Sequence, residues 1–342
     1  MLQSRPTHMS PTKLAALEIC SGAGGQAAGL EAAGFELAAA VEIDEHACNT
    51  LRANRPHWHV LQSDIRNVNG RDFRGIDLLA GGVPCPPFSI AGKQLGHKDD
   101  RDLFPQALRL VEEARPAAVL LENVPGLAMS RFAKYRAEVL RKVSALGYWA
   151  DWRVLNACCF GVPQLRPRFI LIALRDVVVG AFSWPDERSV FLTVGQALLD
   201  LMSARGWDGA ETWKARACRI APTIVGGSKK HGGPDLGPTR AKQQWAKLGV
   251  DGMGIADEAP GPEFPLDARP RLTVRMVARL QGFPDDWLIT GGKTAAYRQV
   301  GNAFPPPVAQ AVGEALQDAF HGRRYRVRRE IEQSNFFETA YQ

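Results

Sequence analysis

The chain has 342 residues, of which 45% are hydrophobic and 23% charged, a balance typical of globular proteins with one large domain or two smaller ones. No apolar run approaches the ~20 residues that cross a bilayer, and the N-terminus lacks the apolar stretch of a signal peptide, so we expect a cytoplasmic protein outside the membrane. The six cysteines have no CxxC spacing, which argues against a zinc site and favours reduced thiols, and the net charge of +6 favours a polyanionic partner only weakly.

Short apolar runs alternate with amphipathic stretches through the first half of the chain. The predicted strands are Leu14–Ile19, Ala38–Ile43, Ile76–Gly81, Ala117–Leu121, Trp152–Asn156 and Phe169–Leu174. The segments that predict helices between them are Glu45–Ala53, Phe104–Ala114 and Arg131–Leu146. This alternation predicts an α/β fold with a parallel, doubly wound sheet.

The composition changes between Asp176 and Ala268, where glycine, proline, tryptophan and basic residues are scattered without a regular period. We expect a second, loop-rich domain here, because the apolar stretches Val190–Leu201 and Arg219–Val225 argue against a disordered linker. Helical signals return at Thr273–Leu280 and at Val308–Phe320, the latter after a proline stop in the run PPP.

A glycine-rich turn, ICSGAGGQ, follows the first predicted strand and begins a helix. Gly22, Gly24 and Gly25 allow a tight turn and the close approach of a ligand, or only helix packing. Glu42 ends the second strand, where an acid suits ribose hydroxyls. Asp64 follows near the third strand end, where it could accept a hydrogen bond from an adenine amino group or cap a helix. Together these sites indicate an adenosine across the strand ends, which fits an oxidoreductase and a methyltransferase equally.

Cys85 stands between prolines in AGGVPCPPFS, a stiff loop after another predicted strand. Such a loop suits a nucleophile, whereas a buried structural cysteine is the other interpretation. The run is similar to the Pro-Pro-Phe/Tyr loop of enzymes that methylate adenine N6 or cytosine N4, but that chemistry needs an oxygen acceptor where the thiol stands. As a thiolate, cysteine is a strong carbon nucleophile, and this favours covalent catalysis.

Two further motifs flank the expected crevice. Glu122 and Asn123 end the strand one position along from Cys85, and Arg166 and Arg168 lie in QLRPR before the strand FILIAL. The two arginines alternate and therefore share one side of an extended segment, where their donors could fix a carbonyl oxygen or a phosphate. Surface ion pairs are the alternative for each arginine.

The order of the motifs resembles one family. This order resembles that of the DNA cytosine-5 methyltransferases of bacterial restriction–modification systems. In chain order the motifs are the glycine-rich turn, VEID, SDI, PCPPFS, ENV, QLRPR, a variable block, RLTVRMVARLQGFP and YRQVGNAFPPPV. The resemblance implies a Rossmann-like S-adenosylmethionine-dependent methyltransferase sheet, with a discontinuous catalytic domain of residues 1–175 plus 269–342. It implies a smaller target-recognition domain of residues 176–268, and methyl transfer from S-adenosyl-L-methionine to C5 of a cytosine flipped out of duplex DNA.

The resemblance also implies roles for single residues. Cys85 matches the nucleophile that adds to cytosine C6, Glu122 the acid that binds N3 and the exocyclic amine, and Arg168 the arginine that holds O2, with Arg166 in support. Glu42 matches the ribose-binding acid, Asp64 the adenine-binding acid, and Asn302 the asparagine that closes the cofactor pocket. The other cofactor contacts implied by these motifs are Cys20, Ser21, Gly22, Gly24, Gly25, Ile43, Ile65, Pro84 and Leu103.

The chain departs from the family pattern at a few positions. Cys20 stands where the family has a phenylalanine on the adenine, Pro86 where it has glutamine, and Phe304 where it has valine. None of these changes removes a group that the reaction needs. The polar segment Ser89–Arg101 would suit a mobile loop over the flipped base.

Double-stranded DNA is the partner that the resemblance implies. Contacts are expected at Ser89, Lys229, Lys230, His231 and Arg240, with a solvated basic loop as the alternative, and the arginines of 323–329 are expected to add phosphate contacts. The resemblance further implies a cognate restriction endonuclease, a monomer, a nucleoid-associated place in a bacterial cytoplasm, and no metal.

Three other functions remain open on the sequence. An RNA cytosine-5 methyltransferase is disfavoured by the recognition block of about 90 residues, since a single-strand reader needs stacking platforms. An inactive DNA-binding relative is disfavoured by the intact Cys85, Glu122, Arg166 and Arg168. A nicotinamide oxidoreductase gives no reason for the PCP, ENV and QLRPR motifs.

Overall fold

A seven-stranded sheet with the order β3-β2-β1-β4-β5-β7-β6 forms the centre of the fold. The computed structural model describes residues 13–84, 102–175, 178, 180–188, 191–227 and 233–322. The strands are β1 (Ala15–Ile19), β2 (Glu36–Glu42), β3 (Val60–Gln62), β4 (Leu78–Gly82), β5 (Ala118–Asn123), β6 (Trp149–Asn156) and β7 (Pro167–Leu174).

Ten α-helices lie in the described residues. They are α1 (Gly25–Ala32), α2 (Glu45–Asn54), α3 (Phe104–Ala114), α4 (Ala133–Ala145), α5 (Val194–Ser203), α6 (Ala210–Arg216), α7 (Thr239–Lys247), α8 (Val274–Leu280), α9 (Lys293–Asn302) and α10 (Pro306–Phe320). No helix among these residues is long and apolar enough to span a membrane.

The sheet is mixed, and the prediction of a wholly parallel sheet is wrong at one strand. Strands β1 to β5 pair in parallel, but β7 runs antiparallel to both β5 and β6. The reason is the connection between β6 and β7, which spans residues 157–166 and contains only a short 3-10 helix, Ala157–Phe160. A parallel return needs a crossover of a dozen residues or more, so this shorter connection reverses the chain.

Both faces of the sheet are covered, as the continuous apolar runs in its central strands require. Leu17, Ile19 and Leu79 face a core that includes helices α3 and α4, whereas Ala16, Leu78 and Ala80 face a core that includes α10. This alternation follows from the two-residue period of a strand. The α/β fold class is therefore confirmed.

The segment after β7 differs from the sheet region. The described residues of 176–268 contain α5, α6 and α7 and no strand. Their buried tryptophans, Trp207, Trp213 and Trp245, share one apolar core with α8 and α9. Strand β7 ends at Leu174, next to the predicted boundary, but the division into two domains stays a prediction.

Several helices differ from the sequence-based expectation. Pro305 is the N-cap of α10, and Pro306 and Pro307 are its first two residues, because proline fits the first turn of a helix, where the missing N–H has no partner to lose. Helices α5, α6 and α7 were not predicted in the segment expected to be loop-rich, and neither was α9, which carries Asn302.

Candidate active site

A cavity of about 560 Å³ opens at the carboxyl ends of the central strands. Strand order reverses between β1 and β4, and open α/β sheets bind ligands at such a reversal. The predicted site residues that line the cavity are Cys20, Ser21, Gly22, Glu42, Ile43, Asp64, Ile65, Pro84, Leu103, Glu122 and Asn302. Lining residues that were not predicted include Glu18, Gln26, Gln299 and Phe304.

The glycine-rich turn between β1 and α1 has left-handed backbone at Cys20 (φ 54°), Gly22 (φ 54°) and Gly24 (φ 81°). Gly22 faces open space, whereas a Cβ at Gly25 would lie 2.2 Å from the carbonyl oxygen of Phe304. The close approach at Gly25 is therefore to protein backbone. Neither Gly24 nor Gly25 lines the cavity, and a Cβ at either position would meet protein atoms, so both glycines are needed for packing, while their contact with a cofactor stays a prediction.

Backbone N–H groups hold the carboxylate of Glu42 in a fixed orientation. Oε2 accepts a hydrogen bond from Gly22 N at 2.7 Å, and Oε1 accepts from the N–H groups of Ile43 and Asp44, each at 2.8 Å. The two lone pairs of Oε1 are thus used, whereas Oε2 has a second lone pair that can still accept from one hydroxyl. The next residue, Ile43, is 63% exposed and offers an apolar surface on the cavity wall.

Of the two roles that its position suggested, Asp64 has the helix cap, and the adenine contact stays a prediction. It caps the 3-10 helix Ile65–Asn67, accepting from Arg66 N at 2.9 Å, and it also lines the cavity. The backbone N–H and the guanidinium of Arg66, the latter at 2.8 Å, hold the pKa of Asp64 below its ordinary value. The group is therefore a carboxylate at neutral pH and can accept a hydrogen bond.

Glu122 and Arg168 form a buried pair on the other side of the cavity. Glu122 pairs with Ile170 across β5 and β7, and Arg168 is two residues before Ile170, so both side chains leave the same face of the sheet. Arg168 Nε lies 2.6 Å from Glu122 Oε1, but its N–H is not directed at that oxygen and makes no hydrogen bond to any described residue. Burial raises the pKa of Glu122, and the charges of Arg168 and Arg166 oppose that rise.

Arg166 is 1% exposed and points elsewhere. Its Nη1 donates to the carbonyl of Ile224 at 2.7 Å, and its Nη2 donates to the carbonyls of Gly301 and Ala303 at 2.8 and 2.9 Å. Both terminal nitrogens are thus used by backbone, which fits the supporting role better than a contact to phosphate. The arginine, which directly precedes β7, thus connects this strand with the segment after Ala221 and with the C-terminal end of α9 and the residue that follows it.

Asn302 continues this connection. Its Nδ2 donates to the carbonyl of Gly227 at 3.1 Å, and the side chain also borders the cavity. A Cβ on Gly301 would lie 2.4 Å from Cα of Gly226, so the two backbones touch where only glycine fits. Asn302 on the cavity wall is therefore anchored to the segment Gly226–Gly227.

Several predicted residues lie outside the described part of the chain: Cys85, Ser89, Lys229, Lys230, His231 and the arginines of 323–329. Pro84 directly precedes residues 85–101, and Leu103 follows one residue after their end; both line the cavity, and Leu103 N donates to Pro84 O at 3.3 Å. Arg240 is exposed in the first turn of α7. Among the described residues, no group of three His, Cys, Asp or Glu side chains is arranged to hold a metal ion.

The chain is similar to known proteins over most of its length. The family described as C-5 cytosine-specific DNA methylase matches residues 14–318. Type II methyltransferase M.NaeI of Lentzea aerocolonigenes is 55% identical over 312 residues, which cover 90% of this chain and 76% of the relative. Type II methyltransferase M.NgoMIV of Neisseria gonorrhoeae is 50% identical over 304 residues, covering 88% and 96%. An E. coli prophage protein described as a DNA modification methyltransferase has a similar structure, with a TM-score of 0.64 and 26% identity over 90% of this chain and 99% of that chain.

Proposed function

This chain belongs to the family of C-5 cytosine-specific DNA methylases, and we propose that it transfers the methyl group of S-adenosyl-L-methionine to C5 of a flipped-out cytosine in a specific duplex sequence through a covalent bond to Cys85. The observation that carries the catalytic part of this proposal is the buried Glu122–Arg168 pair. It lies on the same cavity as Glu42 and Asp64 and has a donor that the described residues leave unused.

The side chains around the cavity fit the cofactor. Asp64 is a carboxylate that can accept from an adenine amino group, the exposed side chain of Ile43 can pack against the base, and Oε2 of Glu42 can accept from a ribose hydroxyl. When bound, S-adenosylmethionine supplies an electrophilic methyl group on its sulfonium. The cavity continues past Pro84 to Glu122, so one opening would hold both the cofactor and the target ring.

Cys85 would make C5 of cytosine reactive. C5 is a poor nucleophile in the aromatic ring, and addition of the thiolate to C6 converts the ring into an enamine with electron density at C5. Electron density also builds at N3, where a proton from Glu122 offsets it. Loss of the C5 proton and departure of Cys85 then restore the aromatic ring and return the thiolate.

Burial makes Glu122 suitable for this role. A pKa raised by burial keeps a proton on the carboxyl at a pH where an exposed glutamate has lost it, so the group can donate to N3. Arg168 is charged at any physiological pH, and its Nε–H can donate to the ring carbonyl O2. The two side chains together would read the Watson–Crick edge that flipping exposes.

Residues 176–268 would act as the target-recognition domain. The part next to the active site is held firmly: Leu165 N donates to Ala221 O at 2.7 Å, and Ile224 N donates to the side chain of Gln164 at 2.8 Å. The proposed contacts to duplex DNA are Ser89, Lys229, Lys230, His231 and Arg240, and the arginines of 323–329 would contact phosphates. Two relatives are named Type II methyltransferases, which supports the proposal of a cognate restriction endonuclease. We further propose that the enzyme is a monomer and is located at the nucleoid in a bacterial cytoplasm.

Transfer of tritiated methyl groups to unmethylated duplex DNA, followed by nucleoside analysis, tests the reaction. The wild type is expected to label 5-methylcytosine only, while Cys85→Ser gives no label above background. Label on N4-methylcytosine or N6-methyladenine, or an unimpaired serine variant, would contradict the covalent mechanism. A parallel reaction with transfer RNA is expected to give no label.

A further inference from the structure

The outer face of helix α7 carries four polar side chains that form a stripe, namely Arg240, Gln243, Gln244 and Lys247. All four are exposed, and none makes a hydrogen bond or an ion pair with a residue that the structure describes. At 3.6 residues per turn they lie within an arc of about 100° on the helix surface and extend about 10 Å along it. We call them the α7 stripe.

The opposite face of α7 is fixed to the core. Trp245 is completely buried and belongs to the same apolar cluster as Tyr297 and Val300 of α9. On the flank of the helix, Lys242 pairs with Asp235 at 2.9 Å. A helix anchored in this way holds its outer side chains in a fixed direction, as recognition of a rigid partner requires.

The N-terminal end of α7 lies beside the cavity. A Cβ at Gly237, two residues before the helix, would lie 3.9 Å from Cγ2 of Val225, which is 47% exposed. The residue after Val225 touches the cavity wall, because a Cβ at Gly226 would lie 2.7 Å from Oδ1 of Asn302. Arg240, in the first turn of α7, therefore stands at the end of the stripe that is closer to the active site.

The charge of the stripe favours a polyanionic partner. Helix α7 has the sequence TRAKQQWAK and contains no acid, whereas in α4 the exposed Lys142 is paired with Glu138 at 3.0 Å. Arginine donors fit O6 and N7 of guanine, and a glutamine amide can donate and accept on one base edge. The major groove of duplex DNA is about 12 Å wide and admits an α-helix, and a stripe of about 10 Å spans about three base pairs.

We propose that the α7 stripe lies in the major groove of the target duplex, with Arg240 donating to O6 and N7 of a guanine and Lys247 contacting a phosphate. Gln243 and Gln244, which lie between them, would contact the neighbouring base pairs. Arg240 is assigned to a base because the N-terminal residues of a recognition helix are the ones that reach base edges. This inference rests on the proposed function, since it assigns part of the sequence specificity to named side chains.

Methyl transfer to a set of synthetic duplexes tests the assignment. The target found by bisulfite mapping is compared with duplexes that carry each single base-pair substitution, and kcat/KM is measured for the wild type, Arg240→Ala and Lys247→Ala. Arg240→Ala is expected to lose about 5- to 150-fold of the discrimination at one guanine and to keep it at the other positions. Lys247→Ala is expected to weaken all duplexes alike and to reduce the salt slope of DNA binding by about 1.

A modified base shows whether Arg240 reads the major groove. 7-Deazaguanine lacks the N7 acceptor and is placed at the guanine that Arg240→Ala no longer distinguishes. The wild type is expected to have a lower kcat/KM on this duplex than on the natural one. Arg240→Ala is expected to have the same kcat/KM on both, because its contact with N7 is already absent.

Lys214→Ala is the matched control. Lys214 is a surface cation of α6 that pairs with Glu211 at 3.3 Å, and its loss is expected to leave both the discrimination and the salt slope unchanged. Arg240 has no partner among the described residues, so Arg240→Ala should keep the wild-type melting temperature and affinity for S-adenosylhomocysteine. If Arg240→Ala kept the wild-type discrimination at every position, or lost rate equally on every duplex, the inference would be overturned while the proposed function stood. Failure of the wild type to methylate any duplex would overturn both.

Discussion

Replacing Arg166 by lysine tests whether this residue supports the site or acts on the substrate. The guanidinium donates three hydrogen bonds to the carbonyls of Ile224, Gly301 and Ala303 while 1% exposed. Lysine is shorter and has no planar fork, so it can retain one of these bonds at most. Hydrogen bonds to a charged group contribute about 1.5–3 kcal/mol each, and non-additivity reduces the sum, so we expect a loss of about 2–4 kcal/mol in unfolding free energy.

Arg168→Lys is the matched comparison. Arg168 makes one hydrogen bond to backbone, from Nη1 to Pro167 O at 2.8 Å, and its proposed role is toward the substrate. We therefore expect a smaller loss of stability than for Arg166→Lys but a larger loss of kcat. Urea denaturation of both variants without ligand measures the first quantity, and single-turnover methylation measures the second. Wild-type stability of Arg166→Lys would refute the reasoning, because three buried carbonyls would then have lost their donors at no cost.

Three other variants probe the cavity and the glycine-rich turn beside it. Burial raises the folded-state pKa of Glu18 to about 8, so between about pH 5 and pH 8 the folded state binds more protons than the unfolded state. The free energy of unfolding therefore falls as pH rises, by up to about 1.4 kcal/mol per pH unit. Glu18→Gln should reduce this fall in denaturation measured at several pH values, and parallel curves for the variant and the wild type would contradict the prediction. Glu122→Gln keeps the shape of the side chain but cannot protonate N3 of the cytosine, so kcat should fall by about 100- to 10,000-fold while the affinity for S-adenosylhomocysteine stays unchanged. A wild-type kcat would exclude the role of Glu122 as an acid. Gly25→Ala places a Cβ 2.2 Å from Phe304 O and should cost about 1–3 kcal/mol of unfolding free energy by thermal melts, whereas unchanged stability would mean that the turn has room.

The elements with a strong period were predictable from the sequence. Helix α3 has the predicted bounds, since its apolar positions recur on one face, and β7 was found because a strand covered on both faces is a continuous apolar run. Strand β3 has only three residues, too few for a period. The direction of β7 depended on the length of the connection before it, a feature that apolar patterning does not report.

The candidate site divides in the same way. Glu42 and Asp64 were identified because acids at the ends of neighbouring strands converge on one edge of the sheet. Glu18 carried a weaker signal, an acid inside the apolar strand AALEI, and Gln26 carried none. The amide of Gln26 has no hydrogen-bond partner among the described residues, and Arg166 donates to three carbonyls that are far away in the sequence. Both features depend on tertiary contacts and therefore appear only in the folded chain.

The covalent bond to Cys85 is the central claim, and a fluorinated substrate tests it most directly. A synthetic duplex with 5-fluorocytosine at the methylated position, first mapped by bisulfite sequencing, cannot lose a proton from C5, so the thiolate cannot leave. With S-adenosylmethionine present, the wild type is expected to form an adduct that survives denaturing electrophoresis and maps by mass spectrometry to the peptide with Cys85, while Cys85→Ala forms none. An adduct on another residue, or methylation of the natural duplex without any adduct on the fluorinated one, would contradict the mechanism.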